Sequence, residues 1–123
     1  MKRIESDYIE DIIASIGHIS DFIDETNYEQ FIQDRKTVFA VIRALEIIGE
    51  AAKSVSTTLQ EKYPDVPWKL MAGMRDKLIH AYFGVRLELV WNTIHQLLPP
   101  LKLKFEMIIE ELREERESEE DTE

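Results

Sequence analysis

The chain has 123 residues, no cysteine and a formal net charge of −10. That length suits one domain with a core of its own. The missing cysteines exclude disulfides and thiolate metal sites and fit a reducing cytoplasm. The first residues turn acidic before any apolar stretch develops, so they do not read as a signal peptide, and no apolar run approaches a membrane span.

Ile4, Tyr8, Ile9, Ile12, Ile13, Ile16, Ile19, Phe22 and Ile23 recur at helical spacing with acids opposite, which predicts an amphipathic first helix. Asn27 breaks it. A second run extends from Tyr28 or Asp34 to about Val55, and its apolar residues (Val38, Phe39, Val41, Ile42, Leu45, Ile47, Ile48, Ala51, Ala52) cover more than one face. Such a helix is central in a bundle or faces a second subunit. Gly49 inside it costs about 1 kcal/mol relative to Ala, which points to a close helix approach. Tyr63-Pro64-Asp65-Val66-Pro67 predicts a loop, with Pro67 in the first turn of a third helix and Asp65 as its anionic cap. That helix should end near Gly84. Leu87, Val90, Trp91, Ile94, Leu97 and Leu98 predict a fourth, stopped at Pro99-Pro100, and Leu101, Phe105, Ile108, Ile109 and Leu112 a fifth. Nothing apolar follows Leu112, so 113–123 is expected to be an acidic, frayed or disordered tail after a domain at 1–112. No strand-like alternation or repeat appears. The fold class is all-α, an antiparallel bundle of about five helices.

Charge is uneven along the chain. Residues 1–34 carry −7, residues 35–104 carry +5 and residues 105–123 carry −8. The basic middle is either a phosphate-binding groove or the solvated faces of long helices. Within it lies Met74-Arg75-Asp76-Lys77-Leu78-Ile79-His80-Ala81-Tyr82, which reads Arg-x-x-x-x-His-x-Tyr. Arg offers phosphate a planar, permanent charge, and His exchanges protons near neutral pH. Ribonuclease chemistry without a metal needs that pair, one to deprotonate the ribose 2′-hydroxyl and one to stabilise charge on phosphorus oxygens. Alternatively, His80 is a rim residue paired with Asp76, and Tyr82 a core-edge aromatic. At 100° per residue Arg75 and Tyr82 share a face, while His80 lies about 140° from Arg75. One regular helix would not aim Arg75 and His80 at a single phosphate, so the helix is distorted or a second chain completes the site. His18 reads as a solvated surface residue and His95 as a helix-rim hydrogen-bonder. No spacing resembles a metal site, and neither metal nor cofactor is expected.

Arg43-Ala44-Leu45-Glu46-Ile47-Ile48-Gly49-Glu50-Ala51-Ala52-Lys53, Val66 to Arg75, His80 to Val85, Val90-Trp91 and Leu97 to Leu101 together resemble the HepT-like branch of the HEPN domains. The resemblance covers nearly the whole chain and stops at the acidic tail. Asp76 stands where many members have Asn, and Arg86 where an acid is common. What the resemblance implies is a homodimeric bundle whose paired motifs line one cleft, acting as the endoribonuclease toxin of a toxin–antitoxin pair. It also implies that Tyr82 accepts AMP from a partner minimal nucleotidyltransferase, the antitoxin. Arg75 and His80 are then catalytic. From the residues themselves, Lys77 and Arg43 read either as auxiliary phosphate contacts or as solvated cations, Glu46 and Glu50 either as braces of the site or as exposed helix charges, and Asp76 either as orienting His80 or as its rim partner. RNA is the expected substrate, with no DNA and no membrane partner. The competing expectation is a non-catalytic helical dimer that binds a nucleotide or partner protein through the same groove.

Overall fold

The structure, a computed structural model, describes residues 3–74, 77 and 86–121. These residues form α1 (Glu5–Phe22), α2 (Tyr28–Gln33), α3 (Arg35–Ser54), α4 (Thr57–Lys62), α5 (Trp68–Ala72), α6 (Leu87–Gln96) and α7 (Leu98–Asp121), and no strand occurs among them. No helix of the described residues is long and apolar enough to cross a membrane. The all-α expectation holds, with more helices than the sequence pattern suggested.

Local chemistry explains the extra boundaries. The expected second helix splits at Asp34. Asn27 and Gln30 exchange side-chain and backbone hydrogen bonds of 2.8 and 3.0 Å to start α2. Asp34 then accepts from the Thr37 amide at 3.1 Å and from its hydroxyl at 2.6 Å, restarting the chain as α3. Those two hydrogen bonds hold the Asp34 carboxyl below its usual range. Ser56 caps α4 through the Leu59 amide at 3.1 Å, an element too short for periodicity to reveal. Asp65 does not cap α5. Its carboxylate pairs with Lys104 at 2.7 Å, and α5 begins at Trp68, with Pro67 standing just before its first turn as an N-cap that makes no side-chain hydrogen bond.

The pair Pro99-Pro100 begins α7 instead of merely stopping α6. First-turn amides have no partner inside a helix, so proline loses nothing there. The acidic stretch expected to fray is helical through Asp121. Arg113 pairs with Glu110 and Arg116 with Glu120 along it, while Glu111 accepts from the Tyr63 hydroxyl and Glu115 holds Lys62. Burial, then Glu111, pushes the Tyr63 phenol well above its ordinary range.

α3 is the spine. Val41, Leu45, Ile48 and Ala52 are fully buried, and α1 packs against them with Ile9, Ile12, Ile16 and Ile19. Glu5 at the start of α1 accepts from the Ser56 amide and hydroxyl just past the end of α3, so the two run antiparallel. α7 covers α1 with Phe105, Ile108 and Ile109. On the other flank, a Cβ added to Gly49 would lie 2.8 Å from the Met71 carbonyl oxygen, so α5 sits directly on α3 there. Most of the wide apolar arc of α3 is thus filled within one chain, while Phe39 stays 52% exposed.

The two helical glycines therefore respond oppositely to a methyl group. Gly17→Ala meets nothing within 4 Å and should gain about 0.5–1 kcal/mol from helix propensity. Gly49→Ala pushes against backbone and should lose about 1–3 kcal/mol. Thermal denaturation of both variants checks the pair, and a stabilised Gly49→Ala would refute the close approach.

Candidate active site and its flanking groove

The Gly49 contact positions the approach to the motif. Met71 and Met74 are buried against α3, and the Lys77 amide donates to the Gly73 carbonyl at 3.4 Å, continuing the helical path. Lys77 itself is helical and exposed. It follows Arg75 by two residues and precedes His80 by three. Arg75, Asp76, His80 and Tyr82, the expected catalytic, supporting and modification residues, lie outside the described residues.

The supporting groups on α3 form a network of their own. Arg43 Nη1 lies 3.1 Å from Glu46 Oε2 and 3.5 Å from Glu50 Oε1, on the exposed row that Phe39 begins. Two carboxylates therefore offset the Arg43 charge, and the residue expected as an auxiliary phosphate contact is engaged inside its own helix. Glu46 is the less exposed carboxylate, its side chain 23% accessible against 44% for Glu50.

Beside Lys77 opens a groove of about 480 Å³ between α3, α5 and α6. Leu45, Leu70, Met74 and Leu89 supply its apolar surface. α6 turns one face to it: Leu89, Asn92, Thr93 and Gln96 fall at i, i+3, i+4 and i+7, while Val90 and Ile94 are buried on another face. Thr93 donates its hydroxyl to the Leu89 carbonyl at 2.7 Å, which satisfies it within the helix. Asn92 and Gln96 were not singled out from sequence. Their only signal is i, i+4 spacing on a short amphipathic helix, a pattern shared with most solvated faces.

The basic middle of the chain divides in two. Arg43, Lys62, Lys102 and Lys104 each have a carboxylate within 4.0 Å. Arg35, Lys36, Lys53, Lys69, Lys77 and Arg86 carry no ion pair with another described residue. Three of these, Lys69, Lys77 and Arg86, lie before, within and after the Arg75–Tyr82 run in sequence. His95 donates its Nδ1–H to the Trp91 carbonyl at 2.8 Å, a helix-rim bond as expected, and His18 is exposed on α1. Among the described residues, no three His, Cys, Asp or Glu side chains gather closely enough to hold a metal ion.

If the open lysine contacts RNA phosphate, Lys77→Ala should weaken binding of single-stranded RNAs by a similar factor whatever their sequence. It should also lower the slope of log affinity against log salt by about one. Filter binding across a salt series measures both, and an unchanged slope would remove Lys77 from the interface.

Comparison with known proteins gives a consistent picture. A family model described as "Ribonuclease HepT-like" matches residues 12–108. The chain is 52% identical over 108 residues to "Probable ribonuclease HepT" of Thermococcus cleftensis, covering 88% of this chain and 98% of that one. It is 45% identical over 113 residues to "Putative RNase MJ0125" of Methanocaldococcus jannaschii, covering 92% and 97%. It is 40% identical over 103 residues to "Putative RNase TTE0752" of Caldanaerobacter subterraneus, covering 84% and 92%. No solved structure matches the chain.

Proposed function

The chain belongs to the ribonuclease HepT-like family, and from that premise we propose that it is a metal-independent endoribonuclease, the toxin of a toxin–antitoxin pair. One observation carries the reading: Arg75-x-x-x-x-His80-x-Tyr82 lies within the span matched by the family model, residues 12–108. Lys69, Lys77 and Arg86, which lie before, within and after that run and pair with no described carboxylate, support an RNA phosphate as the ligand.

His80 takes the proton of the ribose 2′-hydroxyl. The 2′-oxygen attacks the adjacent phosphorus, and the bond to the 5′-oxygen of the next nucleotide breaks. Arg75 stabilises the charge on the non-bridging oxygens, and the leaving oxygen receives a proton, leaving a 2′,3′-cyclic phosphate. The 140° offset between Arg75 and His80 on a regular helix favours a homodimer in which the two copies complete each cleft. The apolar arc of α3 adds to that argument only through Phe39, which stays 52% exposed, because α1 and α5 of the same chain cover most of the rest.

Cleavage should therefore persist in EDTA, and Arg75→Ala and His80→Ala should each lose on the order of 10²-fold or more while staying folded. Light scattering should give a dimer. Full cleavage by EDTA-treated His80→Ala protein would overturn the assignment, and a pure binding protein would leave RNA intact in every arm.

Control follows from Tyr82. An AMP group placed on its phenol by the partner nucleotidyltransferase adds a phosphodiester charge beside the catalytic pair and repels substrate phosphate. After co-expression with that partner, mass spectrometry should show AMP on Tyr82 and activity should fall. Tyr82→Phe should escape control. A Tyr82→Phe protein neutralised as well as the wild type would mean that the antitoxin acts by covering the cleft instead.

A further inference from the structure

Lys77 joins two regions that the ribonuclease reading leaves unconnected, the motif and the groove of α3, α5 and α6. We propose that this groove is a base-recognition subsite: it receives the nucleobase of an RNA nucleotide flanking the cleaved phosphate, with Asn92 and Gln96 meeting the base edge and Lys77 the phosphate. The position of the subsite relative to the cut rests on the ribonuclease reading; the binding chemistry does not.

Three observations converge. The groove is apolar on the sides formed by Leu45, Leu70, Met74 and Leu89, and Leu70 and Leu89 are 43% and 45% exposed. A flat base would cover that surface, and about 480 Å³ lies within the range of small-molecule sites. Next, Asn92 and Gln96 stand one turn apart on the wall, and neither amide bonds to another described residue. Each amide carries a donor and an acceptor, the pairing that reads a base edge, whereas Thr93 between them is already satisfied by Leu89. Finally, among the described lining residues Lys77 is the one charged group, and it pairs with no described carboxylate, so this part of the groove offers an anion a cation and no opposing acid. An apolar slot with two free amides and one cation matches a nucleotide taken from a single strand, where bases are splayed and read on their edges. It matches a protein seam poorly, since interface cores are depleted in lysine.

The test uses binding without cleavage. The homodinucleotides of A, C, G and U, 2′-O-methylated so that the nucleophile is blocked, are titrated into the full-length protein while the Met74 methyl resonance is followed. The Met74 signal should move, and affinity should differ about tenfold or more between best and worst base. Asn92→Ala/Gln96→Ala should reduce that spread to about twofold, whereas Lys77→Ala should weaken all of them alike. No Met74 shift with any dinucleotide, or equal affinity for all, overturns the subsite. So does a Leu89→Glu protein that falls from dimer to monomer, because the groove would then be a seam between copies. If base preference appears in a wild-type protein that cleaves no RNA, the subsite stands and the ribonuclease reading falls. Cleavage without any Met74 shift has the opposite meaning.

Discussion

The contact between Gly49 and the Met71 carbonyl sets the rest of the functional half of the molecule. α5 is only five residues long and has no side-chain cap, so it would not persist as a free helix. What holds it is burial of Trp68, Met71 and Met74 against α3 and α7. Trp68 donates its indole N–H to the Tyr63 carbonyl at 3.0 Å and packs edge-on to Phe105 at 5.6 Å, fixing the start of α5. Gly49 fixes its end. A side chain there would lift Met71 and everything that follows it, including Lys77. The glycine gives up helix propensity to bring one backbone onto another, and that exchange places the motif's approach beside α3.

Electrostatics then sorts the surface. A net charge of −10 would ordinarily argue against an RNA partner. The fold pairs acids of α7 and the α4–α5 loop with Lys62 and Lys104, outside the motif. Such exposed pairs contribute little stability. Their effect is on the pattern of charge: Lys69, Lys77 and Arg86 pair with no described carboxylate, whereas Arg43 is offset by Glu46 and Glu50. Segment totals could not show this, because the +5 of the middle counts paired and unpaired cations alike.

Much of this was legible in the sequence where a signal was contiguous. The apolar periodicity of α1, α3, α6 and α7 emerges as their buried stripes, and Gly49 marks a close approach from composition alone. Boundaries were harder. Asp34 interrupts an apolar pattern that runs through it, so only its hydrogen bonds to Thr37 reveal a break. Ser56 starts a helix with a single buried residue, Leu59, and one residue has no period. Pro99 and Pro100 have the same local meaning whether they end one helix or open the next. In the tail, missing apolar residues were read as missing helix, but Glu and Arg are good helix formers and the partners of Glu111 and Glu115 sit on α4 and just after it.

The candidate site divides along the same line. Arg75, His80 and Tyr82 lie within eight residues and can be found by reading, whereas the groove that Lys77 lines is assembled from three helices and has no linear trace. Its polar members are ordinary amides, and their meaning depends wholly on what α3 and α5 place opposite. That dependence has a physical consequence. α6 buries Val90 and Ile94, so its rotation is fixed by the core, and the face bearing Leu89, Asn92 and Gln96 cannot turn away without exposing them. A 100° rotation would move Asn92 off the groove wall and bring a core residue to water. The same packing that makes the bundle stable therefore holds the side chains of Asn92, Gln96 and Lys77, none paired with another described residue, toward a single apolar slot.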